Sequence, residues 1–202
     1  MLNLPGKSPP RGAGVDNIEG KVPTADDMVV ISQPLLKAAT KLAVSLKDKV
    51  AAKWALGGDA GETMMGVNVS SDHLEILTTK EGCEEICNVL KNLVTRAPTM
   101  DEKKLTRDAE IEGRTYPVYV KSHYAELTMD GIRVEVYGDE QIKVGEWDWG
   151  DALDFAPDYT YLSGGVLPLV PLTLKSELDL GLGWLDRVSL ITDAVLAKHH
   201  NH

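Results

Sequence analysis

The stretch Trp54-Ala55-Leu56 runs straight into Gly57-Gly58. A short apolar strand that ends on paired glycines has to turn sharply, and the missing side chains let another group approach the backbone closely. The hydrophobic period changes on either side of this bend. Upstream, Leu35, Leu36, Ala39, Leu42, Ala43, Leu46 and Val50 recur at helical spacing to about Ala52, behind Ser32 as N-cap and Pro34 in the first turn. Downstream, residues 59–66 read as a brief helix ending at Gly66. Residues 67–77 alternate as a strand, and residues 80–94 return to helical spacing through Ile86, Leu90, Leu93 and Val94. A chain that switches between the two periods this often is a single mixed α/β (α+β) domain. A dinucleotide fold would want Gly-x-Gly-x-x-Gly after its first strand, and that motif is absent from the sequence.

Residues 116–137 form the clearest β region. Asp130-Gly131 sits between alternating segments and predicts a hairpin. On its second strand Ile132, Val134 and Val136 share one face, while Arg133, Glu135 and Tyr137 share the other. Residues 101–114 carry no assignable pattern, and residues 138–165 read as irregular surface structure. Residues 166–170 form a short strand. A last helix spans about 173–197, and Gly181 and Gly183 weaken its middle enough to allow two segments. The expected organisation is an N-terminal arm rich in Pro and Gly over residues 1–30, one domain over 31–198, and a frayed tail over 199–202.

Lys and Arg number 21 against 31 Asp and Glu, a formal charge of −10. That excludes a general nucleic-acid-coating role, which needs a dense cationic surface. No apolar run approaches the ~18–20 residues of a membrane span, and the first twenty residues lack a signal-peptide core. Cys83 and Cys87 lie four apart in a helical pattern and read as a buried helix edge rather than a bridge or a zinc site. A reduced, cytoplasmic protein is the expectation.

On a strand, His73 and Glu75 project to one side while Leu74 and Ile76 face a core, and Asp72 belongs with the opposite face unless a bulge turns it. At these residues the chain resembles the nucleotidyltransferase (polymerase-β-like) superfamily, closest to its small prokaryotic minimal and abortive-infection-toxin-like members. The resemblance runs through Trp54–Gly66, Ser71–Thr78 and Ile132–Val136, and closes on Val166–Lys175 with Gly183–Arg187. It spans roughly residues 33–197 and implies a mixed sheet flanked by helices.

It further implies a site that binds a nucleoside triphosphate with Mg²⁺ or Mn²⁺ and transfers a nucleotidyl group to an unidentified acceptor. The family's three acid positions hold His73, Glu75 and Glu135 here. Those three are the implied catalytic residues and, with Asp72, the implied metal ligands. Gly57, Gly58 and Asp59, where family members often carry serine, would shape the phosphate pocket, and Lys175 would meet a phosphate. Carboxylates bridging a divalent cation would hold the attacking and leaving oxygens of an in-line displacement. The alternative is a catalytically degenerate domain that binds a protein partner or a second copy of itself. A hydrolase using His73 as base lacks a nucleophile beside it. Trp147 and Trp149 read either as caps on the open sheet face or as a base-stacking wall.

Overall fold

The computed structural model describes residues 30–163 and 165–200. Helix α1 (Gln33–Leu46) begins where Ser32 and Pro34 predict, but the cap is the Ser32 carbonyl, which accepts from the Leu36 N–H, and not the hydroxyl. The helix stops at Leu46 rather than near Ala52, because Asp48 turns into the left-handed region at φ 56. Strand β1 (Trp54–Gly57) and the single-strand-to-helix bend into α2 (Gly58–Met64) follow the expected order.

The predicted strand over 67–77 shortens to β2 (Leu74–Thr78). The residues before it are tied to α2 instead of the sheet. The Val67 N–H donates to the Glu62 carbonyl, and the Thr63 hydroxyl donates to the Val69 carbonyl at 2.6 Å. Helix α3 (Lys80–Val89) starts under a Thr79 cap that accepts from the Gly82 N–H, and a 3₁₀ turn at Lys91–Leu93 ends the helical stretch. The unassigned region then yields two elements: strand β3 (Val94–Lys104), and a small hairpin of β4 (Ala109–Ile111) with β5 (Arg114–Tyr116). β3 lies at a sheet edge, so it needs no apolar alternation on both faces and tolerates Pro98 beside a break in register between Arg96 and Thr99.

The hairpin at Asp130-Gly131 forms as predicted, joining β6 (Val118–Met129) to β7 (Ile132–Val144) with φ of 52 and 84 at its two turn residues. Nothing lies within 4 Å of the place a Gly131 Cβ would occupy. Gly131→Ala therefore carries conformational strain alone, and urea denaturation should show a loss of about 1 kcal/mol.

β7 continues past Tyr137 through Gly138, a segment the sequence presented as irregular. A Cβ on Gly138 would lie 2.8 Å from the Thr79 carbonyl oxygen, so glycine is what lets the start of α3 rest on the strand. β8 (Asp158–Leu162) also emerges from that segment, as an edge strand with Tyr159 and Tyr161 exposed. β9 (Gly165–Leu169) precedes α4 (Leu172–Gly181) and α5 (Leu185–His200). The two helices separate at Gly183, whose φ is +72 and whose Cβ would fall 1.9 Å from the Glu110 carbonyl oxygen.

The seven-stranded sheet runs β3-β6-β7-β2-β1-β9-β8. β2 is parallel to β7 and β1 is parallel to β9, while the other neighbours are antiparallel. The main core packs α1 and α3 on one face, joining Leu42, Leu46 and Ile86 to Leu74, Ile76, Val134 and Val136. Each fully buried aliphatic side chain contributes roughly 1.5–3 kcal/mol. A second cluster at the far end of β6 and β7 joins Val118, Val120 and Val144 to Leu182. Among the described residues no helix is long and apolar enough to cross a membrane. The expected arm lies outside the described residues except for Val30, and α5 runs into the expected tail as far as His200, beyond which the tail also lies outside them.

Candidate functional site

β1 pairs with β2 so that Gly57 stands opposite Glu75, and β2 pairs with β7 so that Glu75 stands opposite Glu135. Three consecutive strands, spaced about 4.8 Å apart, thus set the double-glycine bend and two carboxylates in one row. A cavity of about 520 Å³ opens over this row, and Gly57, Gly58, His73, Glu75 and Glu135 all line it. Gly58 takes φ +57, and its Cβ would lie 2.4 Å from the Glu75 carboxyl carbon. The carboxylate is seated on the bare glycine.

His73 stands just before β2, and its ring reaches across the row. Nε2 lies 3.2 Å from Glu75 Oε1 and 3.7 Å from Glu135 Oε2, while Nδ1 lies 2.7 Å from Asp72 Oδ1. The hydrogen bond to Glu75, helped by Asp72 and opposed by burial, raises the imidazole pKa to about 9. Glu135 is buried, which alone would raise its carboxyl. The Tyr137 hydroxyl donating at 2.5 Å, with Arg133, His73 and Lys103, outweighs that and holds it below the usual carboxylate range. Arg133 Nη1 sits 3.2 Å from Glu135 Oε1, and Lys103 Nζ donates to the Tyr137 hydroxyl at 2.9 Å.

The cavity is also lined by Leu174, Lys175, Leu178 and Asp179 of α4 and by Leu105, Val120 and Ile142. Lys175 Nζ donates to Asp179 Oδ1 at 2.5 Å and lies 5.7 Å from the Trp184 ring centre. Arg187 Nη2 holds Glu62 Oε2 at 2.6 Å and Asp59 Oδ1 at 2.7 Å. Glu62 Oε1 and Asp179 Oδ2 are buried and take no hydrogen bond. Burial raises the carboxyl of Glu62, and burial with the nearby Glu75 charge raises that of Glu140 to about 7.

No family model matches the chain, and no curated protein matches it. A solved structure does. It is a Thermotoga maritima protein provisionally assigned as a nucleotidyltransferase, which superposes with a TM-score of 0.63 at 23% identity over 88% of this chain and 99% of that one. The fold is nucleotidyltransferase-like.

Within this nucleotidyltransferase-like domain, His73, Glu75, Glu135, Gly57, Gly58 and Lys175 meet at one cavity. Asp59 and Asp72 do not line it. Asp59 turns toward Arg187, and Asp72 is exposed and grips the outer ring nitrogen of His73, so it orients the ring. Trp147 instead rests on Tyr116, and Trp149 accepts Lys121 and Lys143 over its ring; neither forms a wall of the cavity. The cavity's tryptophan is Trp184. Cys83 and Cys87 are buried and unbridged, as the helical spacing suggested.

The residues present do not fit a resident divalent ion as they stand. Among the described residues no three His, Cys, Asp or Glu side chains form a group able to hold one. The space between the two carboxylates of the row is filled by an N–H donor, and both Glu135 oxygens are already engaged.

Several cavity residues escaped the sequence reading. Tyr137 shares a face with Arg133 and Glu135 at strand spacing, so the alternation already pointed to it. Lys103 lies in the stretch without a pattern, and Glu62 and Asp179 gave no local signal because their burial depends on elements far away in the chain, as does the partial burial of Glu140.

The raised His73 pKa has a consequence for stability. Its contribution is complete below pH 6.5 and is lost as pH rises through about 9. After solvent screening of this partly exposed pair, that loss should be roughly 1–2 kcal/mol. Denaturation midpoints from pH 6 to 10 should fall for the native chain, and His73→Gln should flatten that fall. An unchanged slope in the variant would remove the imidazolium from the account.

Proposed function

We propose that this chain binds a nucleoside triphosphate in the cavity over Gly57, Glu75 and Glu135. The observation that carries the reading is that row itself, set across three strands at the mouth of a 520 Å³ cavity in a nucleotidyltransferase-like fold. The volume lies within the range of small-molecule sites, about 300–1,000 Å³. The cavity has a polar end and an apolar end. Lys103, Arg133 and His73 supply positive charge for phosphates near the glycine bend, and Lys175 supplies more along the wall. Leu105, Val120, Ile142, Leu174 and Trp184 offer the base an apolar bed.

A second reading is nucleotidyl transfer, favoured by the side-by-side register of Glu75 and Glu135. In it, an acceptor hydroxyl attacks the α-phosphorus, the new P–O bond forms as the bond to pyrophosphate breaks, and the acceptor proton passes to solvent or to a carboxylate. His73, Arg133 and Lys103, which line the cavity, would supply the charge neutralisation for the phosphates.

Calorimetry with each of the four nucleoside triphosphates, in the presence of chelator and of Mg²⁺, tests the first reading. Binding of at least one, weakened about tenfold or more by Lys103→Ala or Lys175→Ala, is expected. Absence of binding to all four would sink it. Incubation with α-labelled nucleotide tests the second, where label transfer abolished by Glu75→Gln would establish turnover.

A further inference from the structure

The charge state of His73 follows from the donors and acceptors around its ring. Carboxylate oxygens only accept, and neutral imidazole carries one N–H. Here both ring nitrogens face carboxylate oxygens: Nδ1 faces Asp72 at 2.7 Å, and Nε2 faces Glu75 at 3.2 Å and Glu135 at 3.7 Å. Either neutral tautomer would aim a lone pair at an anion. Only the doubly protonated ring turns an N–H to the carboxylates on both of its sides, so His73 is a cation held among three acids.

Arg133 completes the arrangement by pairing with the other Glu135 oxygen at 3.2 Å. The two side chains bring two positive charges to the two carboxylates, the charge a divalent ion would bring. Gly58 fixes the geometry from below, since the Glu75 carboxyl rests where any other side chain would intrude. Asp72 holds the ring from outside through Nδ1, with Nε2 on the side of the row.

We propose that the His73 imidazolium, with Arg133, stands in place of a divalent cation, so that the cavity takes its polyphosphate ligand without a metal bridging Glu75 and Glu135. The nucleotide reading enters this inference only through the identity of the ligand; the statement about cations stands apart from it. A divalent ion bridging the two carboxylates would have to displace the ring from between them and, to take both Glu135 oxygens, unpair the arginine. Phosphate oxygens instead meet the remaining guanidinium N–H groups of Arg133 and the Lys103 ammonium, both of which line the cavity.

Titration of the full chain with Mn²⁺ alone, followed by the paramagnetic resonance signal of the free ion, tests the cation statement. The native chain should leave millimolar Mn²⁺ free. His73→Asp should create a site at least about tenfold tighter, and Glu75→Gln on that background should abolish it. His73→Asn serves where three adjacent acids impair folding, which circular dichroism reports. It removes the positive charge without adding a negative one, and should also gain Mn²⁺ binding.

Stoichiometric Mn²⁺ uptake by the native chain, lost in Glu75→Gln, would overturn the proposal while leaving the nucleotide reading untouched. So would His73 variants that gain nothing. Triphosphate binding that survives chelator supports the proposal, and triphosphate binding that requires a divalent ion counts against it. If no triphosphate binds while the Mn²⁺ results hold, the nucleotide reading falls alone.

Discussion

Replacing Arg187 with Met should cost about 3 kcal/mol or more in a chemical-denaturation measurement at pH 7. Arg187 lies on α5 and reaches α2, where one guanidinium nitrogen holds both Glu62 and Asp59. Glu62 is 3% exposed, and its second oxygen already lacks a partner. Without Arg187 its charge would be nearly stranded in the interior. The carboxyl, already pushed up by burial, would then take a proton rather than stay ionised. Hence the loss should shrink in acid, and Glu62→Gln in the Arg187→Met background should recover part of it. Equal losses at pH 5 and pH 8 would show that the guanidinium acts by packing and not by charge.

Gly58→Ala should leave the fold nearly intact and damage the site severely. The strained φ of +57 contributes about 1 kcal/mol of destabilisation. The clash is with the end of the Glu75 side chain, which can swing away at little further cost. Swinging away takes the carboxylate off His73 and out of the row with Glu135. Triphosphate affinity should therefore fall by at least about tenfold, and the decline in stability between pH 6.5 and 9 should become shallower because the imidazolium loses its main partner. An affinity equal to that of the native chain would mean that the position of Glu75 is irrelevant to the ligand. The second readout would still report whether the carboxylate had moved.

Much of the architecture was legible because it is written in local pattern. The α1 stripe, the Gly57-Gly58 bend and the Asp130-Gly131 hairpin each follow from residues within a few positions of one another. The break between the last two helices was foreshadowed by Gly181 and Gly183, although the reason, a backbone carbonyl of Glu110 lying against Gly183, comes from a hairpin over seventy positions away. The elements that stayed hidden were edge strands. β3 and β8 are bonded on one side only, so polar and apolar residues follow one another along them without regular alternation. The segment before β2 misled for a different reason. Val67 and Val69 are buried as a strand pattern suggests, but their backbone is bound to α2.

Strand parity was enough to place His73 beside Glu75 and to give Glu135 and Tyr137 a common face, because side chains two apart on a strand must point the same way. Which strands are neighbours, and in what register, was decided only when a parallel pairing of β2 with β7 set Glu75 opposite Glu135. The charge state of the site also belongs to the tertiary structure. A histidine in a sequence is neutral or charged according to what surrounds it, and here three carboxylates from two strands and a loop converge on one ring.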